Sequence, residues 1–234
     1  MYPIVLIAKN FLREQRWLVL VLLAWVFGSS LALGLDDEPA LSDAAFFLQQ
    51  QAMYGVAFGA FLAASAIHNE RRSRRILSVL SKGVERRHYL AGLLLGVGAV
   101  ELIYALAMAV GALWTLRGNG VEISAVVWLL ATLLVAAMLV ASIAMFFSTF
   151  LNPLVALAAT GVTAALPLAV SLAFPRAVYG IVPVYPLIAF VLNSSLHESS
   201  PVLGALALAA AQVILFWIAG AWMFARRDIA AAIE

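Results

Sequence analysis

Six stretches of this sequence are each close to twenty residues or longer and almost wholly apolar, and they decide most of what the chain can become. A hydrocarbon layer about 30 Å thick offers no water to a backbone amide, so a segment that crosses it has to be a helix of about 20 apolar residues. The stretches run approximately from Trp17 to Leu35, Phe46 to His68, Tyr89 to Leu116, Ile123 to Phe147, Pro153 to Phe174 and Pro201 to Ala225. With 65% hydrophobic and 11% charged residues, the composition excludes an ordinary soluble globule. The expectation is an all-α polytopic membrane protein with six transmembrane helices, its 234 residues forming a single domain.

Charge placement predicts the orientation. Twelve of the fourteen Lys and Arg residues fall on one side of a six-span arrangement: Lys9, Arg13 and Arg16 before the first span, seven between Arg71 and Arg87, and Arg226 and Arg227 at the end. The positive-inside rule then puts both termini in the cytoplasm. A seventh apolar segment, Ala177 to Leu192, is 16 residues long and is interrupted by Pro183 and Pro186. Counting it as a span would send Arg226 and Arg227 outside, so residues 175–200 are expected to form an exterior re-entrant or interfacial segment. No cleavage site follows the charged first 16 residues, so the mature chain is expected to start at Met1. Ile4, Ile7, Ala8, Phe11 and Leu12 recur at helical spacing opposite Lys9, Asn10, Arg13 and Glu14. Residues 1–16 therefore predict an amphipathic helix on the cytoplasmic leaflet, the alternative being simply the start of the first span.

The one long basic loop, residues 69–87, has the same two-faced character. Ile76, Val79, Leu80, Gly83 and Val84 share one helical face; Arg71, Arg74, Arg75, Ser78 and Lys82 share the other. Such a helix is either a solvated basic surface that touches anionic lipid or a docking surface for a partner.

The order of elements resembles the permease subunit of a type-2 ABC exporter. An amphipathic N-terminal helix precedes two spans, Glu70 opens a basic loop with a Leu-rich middle, and Tyr89-Leu90-Ala91-Gly92 enters the third span. Ser148-Thr149 with Asn152-Pro153 between spans four and five, the proline-broken segment before span six and the closing Phe224-Ala225-Arg226-Arg227-Asp228 are also similar. Where such permeases often carry a Gly-Thr pair, a loop proline and a lysine, this chain has Ser73-Arg74, Ser81-Lys82-Gly83 and Leu93. The resemblance implies that the loop helix couples to an ATP-hydrolysing subunit, with Glu70, Arg71, Arg74, Arg75, Ile76, Leu77, Val79, Leu80 and Val84 as the coupling residues. It further implies a bacterial inner-membrane location, a second permease copy or sibling, and export by alternating access, with ATP and Mg held by the partner chain. The sequence has no G-x-x-x-x-G-K-[ST] string, so the chain is expected to hold no cofactor and no ATPase site of its own. The haem-exporter permease of cytochrome c maturation is a close variant of this reading. Rival classes are an intramembrane enzyme acting on lipid head groups and a non-transporting scaffold.

Glu101 is the one carboxylate well inside a span, in VELIYALAM. A charge there costs several kcal/mol, so Glu101 is expected to face the bundle interior, a wet path or a partner, or to carry a proton. Tyr104, three residues on, lies on the same face and is the expected donor to it. Glu101 then either lines a substrate path or holds helices together, and Gln212, Gln49, Gln50 and Gln51 raise the same question with interhelical hydrogen bonding as their default. Gly55/Gly59 and Gly92/Gly96 have G-x-x-x-G spacing, which serves close packing within the chain or between copies. His68, His88 and His197 lack the spacing of metal ligands, and no cysteine is present. Asn193-Ser194-Ser195 matches a glycosylation sequon, and no G-x-S-x-G string marks a hydrolase nucleophile. A net charge of +2 gives no ground for a nucleic-acid partner.

Overall fold

The computed structural model describes residues 2–33, 41–73, 76, 79, 81, 83–116, 123–173 and 203–226. Among these the chain forms seven helices and no strand: α1 Tyr2–Glu14, α2 Arg16–Leu33, α3 Leu41–Arg72, α4 Arg86–Thr115, α5 Ile123–Ser148, α6 Pro153–Ala173 and α7 Leu203–Arg226. Four helices are long and apolar enough to cross a membrane: α2, α4, α5 and the part of α7 from Leu206 to Arg226. They mark the chain as a helical membrane protein. α6 is apolar over Pro153–Ala165, and α3, at 32 residues, is diluted by its three glutamines. The expected exterior segment at 175–200 lies outside the described residues, as do Arg74, Arg75, Leu77, Leu80, Arg117 and the Asn193 sequon.

α4 and α5 form the centre. α5 packs most extensively on α3 and also on α4, α6 and α7, while α4 is flanked by α1, α2, α3 and α7. The buried side of α5 is rich in alanine, with Ala136, Ala137, Ala141 and Ala144 on it, so backbones approach closely. Hydroxyls in these helices bond within their own turns, as Ser142 does to Leu139 O at 2.7 Å and Thr160 to Ala156 O at 2.7 Å. Those local bonds satisfy donors that an apolar surrounding would leave bare. Ser148 Oγ instead crosses from α5 to Ala64 O on α3, at 2.8 Å.

Two features differ from the expected layout. α3 does not stop at His68: nothing in His68-Asn69-Glu70-Arg71-Arg72 breaks a helix, and Ser73 N still reaches Asn69 O at 3.0 Å. Glu70 and Arg71 therefore belong to the helix and not to the loop. α1 is a helix in its own right, parted from α2 at Gln15, and its apolar face is set against α4. Gly92 and Gly96 make that contact possible. A Cβ on Gly92 would lie 2.7 Å from Ile7 Cβ and 3.0 Å from Ile4 O, and one on Gly96 2.9 Å from Phe11 Cβ. Phe11 is buried, whereas Lys9, Asn10, Arg13 and Glu14 stay exposed, so the predicted stripe is real but faces a helix as well as the surroundings.

Candidate functional site

Of the predicted coupling residues, those described, Glu70, Arg71, Ile76, Val79 and Val84, cluster at the end of the bundle where α3 ends and α4 begins. Glu70 is half-buried in the last turn of α3, and its carboxylate accepts the Tyr89 hydroxyl of α4 at 2.7 Å. That bond closes the loop at its base. Arg71 is half-buried beside it. Within the loop, Ile76 is fully buried, and both Ile76 and Val79 have helical backbone. Val79 and Val84 are half-buried and packed on the same core. Ile76, Val79 and Val84 are thus turned into the protein. Gly83, at φ +79°, occupies the left-handed region that favours glycine, and Val84 and Glu85 lead from it into α4.

The first turn of α4 is held from two sides. Glu85, at its N-cap position, is an exposed carboxylate whose charge suits the positive end of the helix. The hydrogen bond from Arg87 holds its carboxyl below the usual carboxylate range, and His88 Nδ1 lies 3.6 Å away. Arg86 reaches across to α7, donating to Phe224 O at 3.1 Å and Ala225 O at 2.8 Å. The last carbonyls of a helix lack intrahelical partners, so the guanidinium caps α7 and ties it to the loop.

The second group of predicted residues lies deep between α3 and α4. Tyr104 packs its ring on Gly55: a Cβ there would lie 2.5 Å from the ring. Glu101, one turn earlier on α4, sets its carboxyl on Gly59 in the same way, at 2.7 Å from the Cβ position. The G-x-x-x-G of α3 therefore accommodates two side chains of α4 within one chain. The expected bond between Tyr104 and Glu101 is not made. The Tyr104 hydroxyl donates to Gln51 O at 2.7 Å and lies 3.3 Å from Gln51 Oε1. Glu101 meets α3 at Gly59, and Tyr104, over Gly55, points on to Gln51, a further turn away from Glu101.

Gln51 continues this chain of contacts to α2, donating to Ser29 Oγ at 3.0 Å; Ser29 in turn donates to Trp25 O at 2.6 Å. Three helices are joined by one polar thread. Glu101 stands beside it, 1% exposed, with neither carboxyl oxygen hydrogen-bonded among the described residues. Thr132 Oγ1 on α5 is likewise buried without a partner. Gln212 is half-buried on α7, while Gln50 is exposed and accepts the Tyr54 hydroxyl at 3.4 Å. A separate apolar cleft of about 420 Å3 opens between α3, α5 and α6, where Met53, Val56, Val140, Leu157 and Gly161 line it. No three His, Asp or Glu side chains gather as a metal site among the described residues.

The basic loop was legible in the sequence from its charge. The Arg86 clamp on α7 was not, because it joins residues 138 positions apart through backbone carbonyls, which carry no sequence signal. Compared with known proteins, the chain matches no protein-family model, and no curated protein matches it significantly.

Proposed function

We propose that the chain is the membrane-spanning permease subunit of an ATP-driven exporter of the type-2 ABC kind, with six spans and both termini in the cytoplasm of a bacterial inner membrane. It pairs with a second copy or a sibling and with nucleotide-binding subunits that hydrolyse ATP with Mg. The observation that carries this reading is the way the α3–α4 connection is fastened. Its apolar face is anchored through Ile76, its base is closed by Glu70 and Tyr89, and Arg86 links it to the end of α7. A load applied to such a loop passes directly into three helices, which is what a transmission element between an ATPase and a membrane domain requires. Packed interfaces of this kind switch between discrete arrangements and do not deform continuously.

Because Ile76 is consumed in anchoring, contact with an ATPase falls to the remaining loop residues, Leu77 and Leu80 among them. Leu77→Asp with Leu80→Asp is expected to abolish copurification of a nucleotide-binding subunit, while the chain still inserts in the membrane. The reading fails if mild-detergent preparations of the unaltered protein contain no such subunit, or if the doubly altered protein still binds it and transports normally.

A further inference from the structure

α3 is the least apolar of the long helices, and its outward face is poorly suited to lipid. Phe46, Gln50, Met53, Tyr54, Ala57 and Phe61 are exposed and recur at helical spacing, so they form one stripe. At its centre the Tyr54 hydroxyl donates to Gln50 Oε1 at 3.4 Å, and the Tyr54 ring meets Trp25 of α2 edge-on, with centroids 6.5 Å apart. Trp25 and Tyr54 are 55% and 50% exposed.

This group lies at mid-depth in the bundle. Trp25 stands at the middle of the 18-residue α2, and Gly55, next to Tyr54, meets Tyr104 well inside the 30-residue α4. Both helices are long and apolar enough to cross a membrane. Exposed Trp and Tyr belong at the two boundaries of a bilayer, and polar side chains at depth belong against protein or water. An indole, a phenol and an amide together at mid-depth mark a face that something other than lipid covers.

The polar atoms say what covers it. The Gln50 amide nitrogen makes no hydrogen bond among the described residues, and the Tyr54 oxygen, having donated, keeps its lone pairs as acceptors. One surface thus presents a donor beside an acceptor, a pair that complements itself across a two-fold axis. Neither small-residue pair is open to a second copy instead: Tyr104 and Glu101 fill the space at Gly55 and Gly59, and α1 covers Gly92 and Gly96.

We propose that two copies of this chain associate through the α2–α3 face centred on Trp25, Gln50 and Tyr54, each Gln50 amide donating to the partner's Tyr54 hydroxyl. The inference deepens the reading above by naming the surface of the pair, and it rests on that reading only for a second copy in the bilayer. Absence of an ATPase from the preparation, with this interface intact, would sink the transport reading alone.

The test uses the full-length chain, which has no cysteine of its own, in membrane vesicles. Two differently tagged copies are coexpressed, one with Gln50→Cys and the other with Tyr54→Cys. Mild oxidation is expected to give a reductant-sensitive product that carries both tags. Two copies with Leu215→Cys, on α7 and 63% exposed, should give none. In mild detergent Gln50→Leu should weaken self-association about tenfold, read by energy transfer on dilution, because each pair loses two hydrogen bonds between membrane helices. A product from Leu215→Cys alone would move the interface to α7. Rapid reaction of Gln50→Cys with a charged, impermeant thiol reagent and no cross-link would make the stripe the wall of a water-filled path. Neither reaction nor cross-link would return it to lipid or to a different protein. Each of these three results overturns the proposal, as does unchanged self-association of the Gln50→Leu protein.

Discussion

The Glu101 carboxyl is set on Gly59, with Oε1 2.7 Å from its Cβ position, and neither oxygen has a hydrogen-bond partner among the described residues. A role as interhelical glue needs such a partner, and the described residues supply none. Glu101→Gln is expected to assemble with near-normal thermal stability and to transport poorly, since it preserves shape and removes the titratable proton. Glu101→Leu removes a buried group that none of the described residues satisfies, a liability of about 1–3 kcal/mol, and should therefore hold or raise the melting temperature in detergent. A marked drop for the Leu variant would restore the packing role. Gly55→Ala tests the neighbouring contact: its methyl group would press on a Tyr104 ring that the bond to Gln51 O keeps in place. A loss of about 1–3 kcal/mol is expected on the scale of overpacked cores, measured as a lower melting temperature. Helical spacing made the depth and shared face of Glu101 and Tyr104 legible in the sequence. It did not reveal their partners, because spacing along one helix carries no information on which turn of the next helix a side chain reaches.

Amphipathy posed the corresponding problem for whole elements. The stripe of Ile4, Ile7, Phe11 and Leu12 was readable, as was the small-residue pair Gly92/Gly96, but nothing in either stripe names the other. An apolar face is the same whether it meets a lipid surface or a helix. The contact yields a clean test, because the chain has no cysteine of its own. Phe11→Cys with Gly96→Cys should form a disulfide on mild oxidation once α1 gives slightly, since the two Cβ positions, 2.9 Å apart, lie inside the span of about 3.5–4.5 Å that a disulfide needs. Trapping of this pair in membranes would be visible as a mobility shift reversed by reductant. No cross-link under conditions that oxidise a control pair would detach α1 from α4 and return it to the leaflet.

On the scale of the molecule, the sequence pattern and the structure agree on a helical membrane protein and differ in how evenly the helices share the interior. α4 and α5 bury about half of their most apolar windows, whereas α2 and α7 bury a small fraction and so present most of their surface to lipid or another chain. Hydropathy makes the helices legible but is blind to this division, because lipid-facing and buried positions are equally apolar. Charge asymmetry supplies what hydropathy lacks, a direction across the membrane. A cysteine placed at Ser78 should react with an impermeant thiol reagent only from the cytoplasmic side and one at Asn119 only from the other; reversed labelling would invert the arrangement. The docking of α1 also bears on how the chain is made. Ile7 leaves the ribosome about 85 residues ahead of Gly92, a lag of about 4–17 s at ordinary synthesis rates. Throughout that interval the N-terminal segment has no groove to occupy, and the surface of the bilayer is its natural waiting place. The same stripe of residues then serves twice, first as a temporary float and afterwards as a permanent strut.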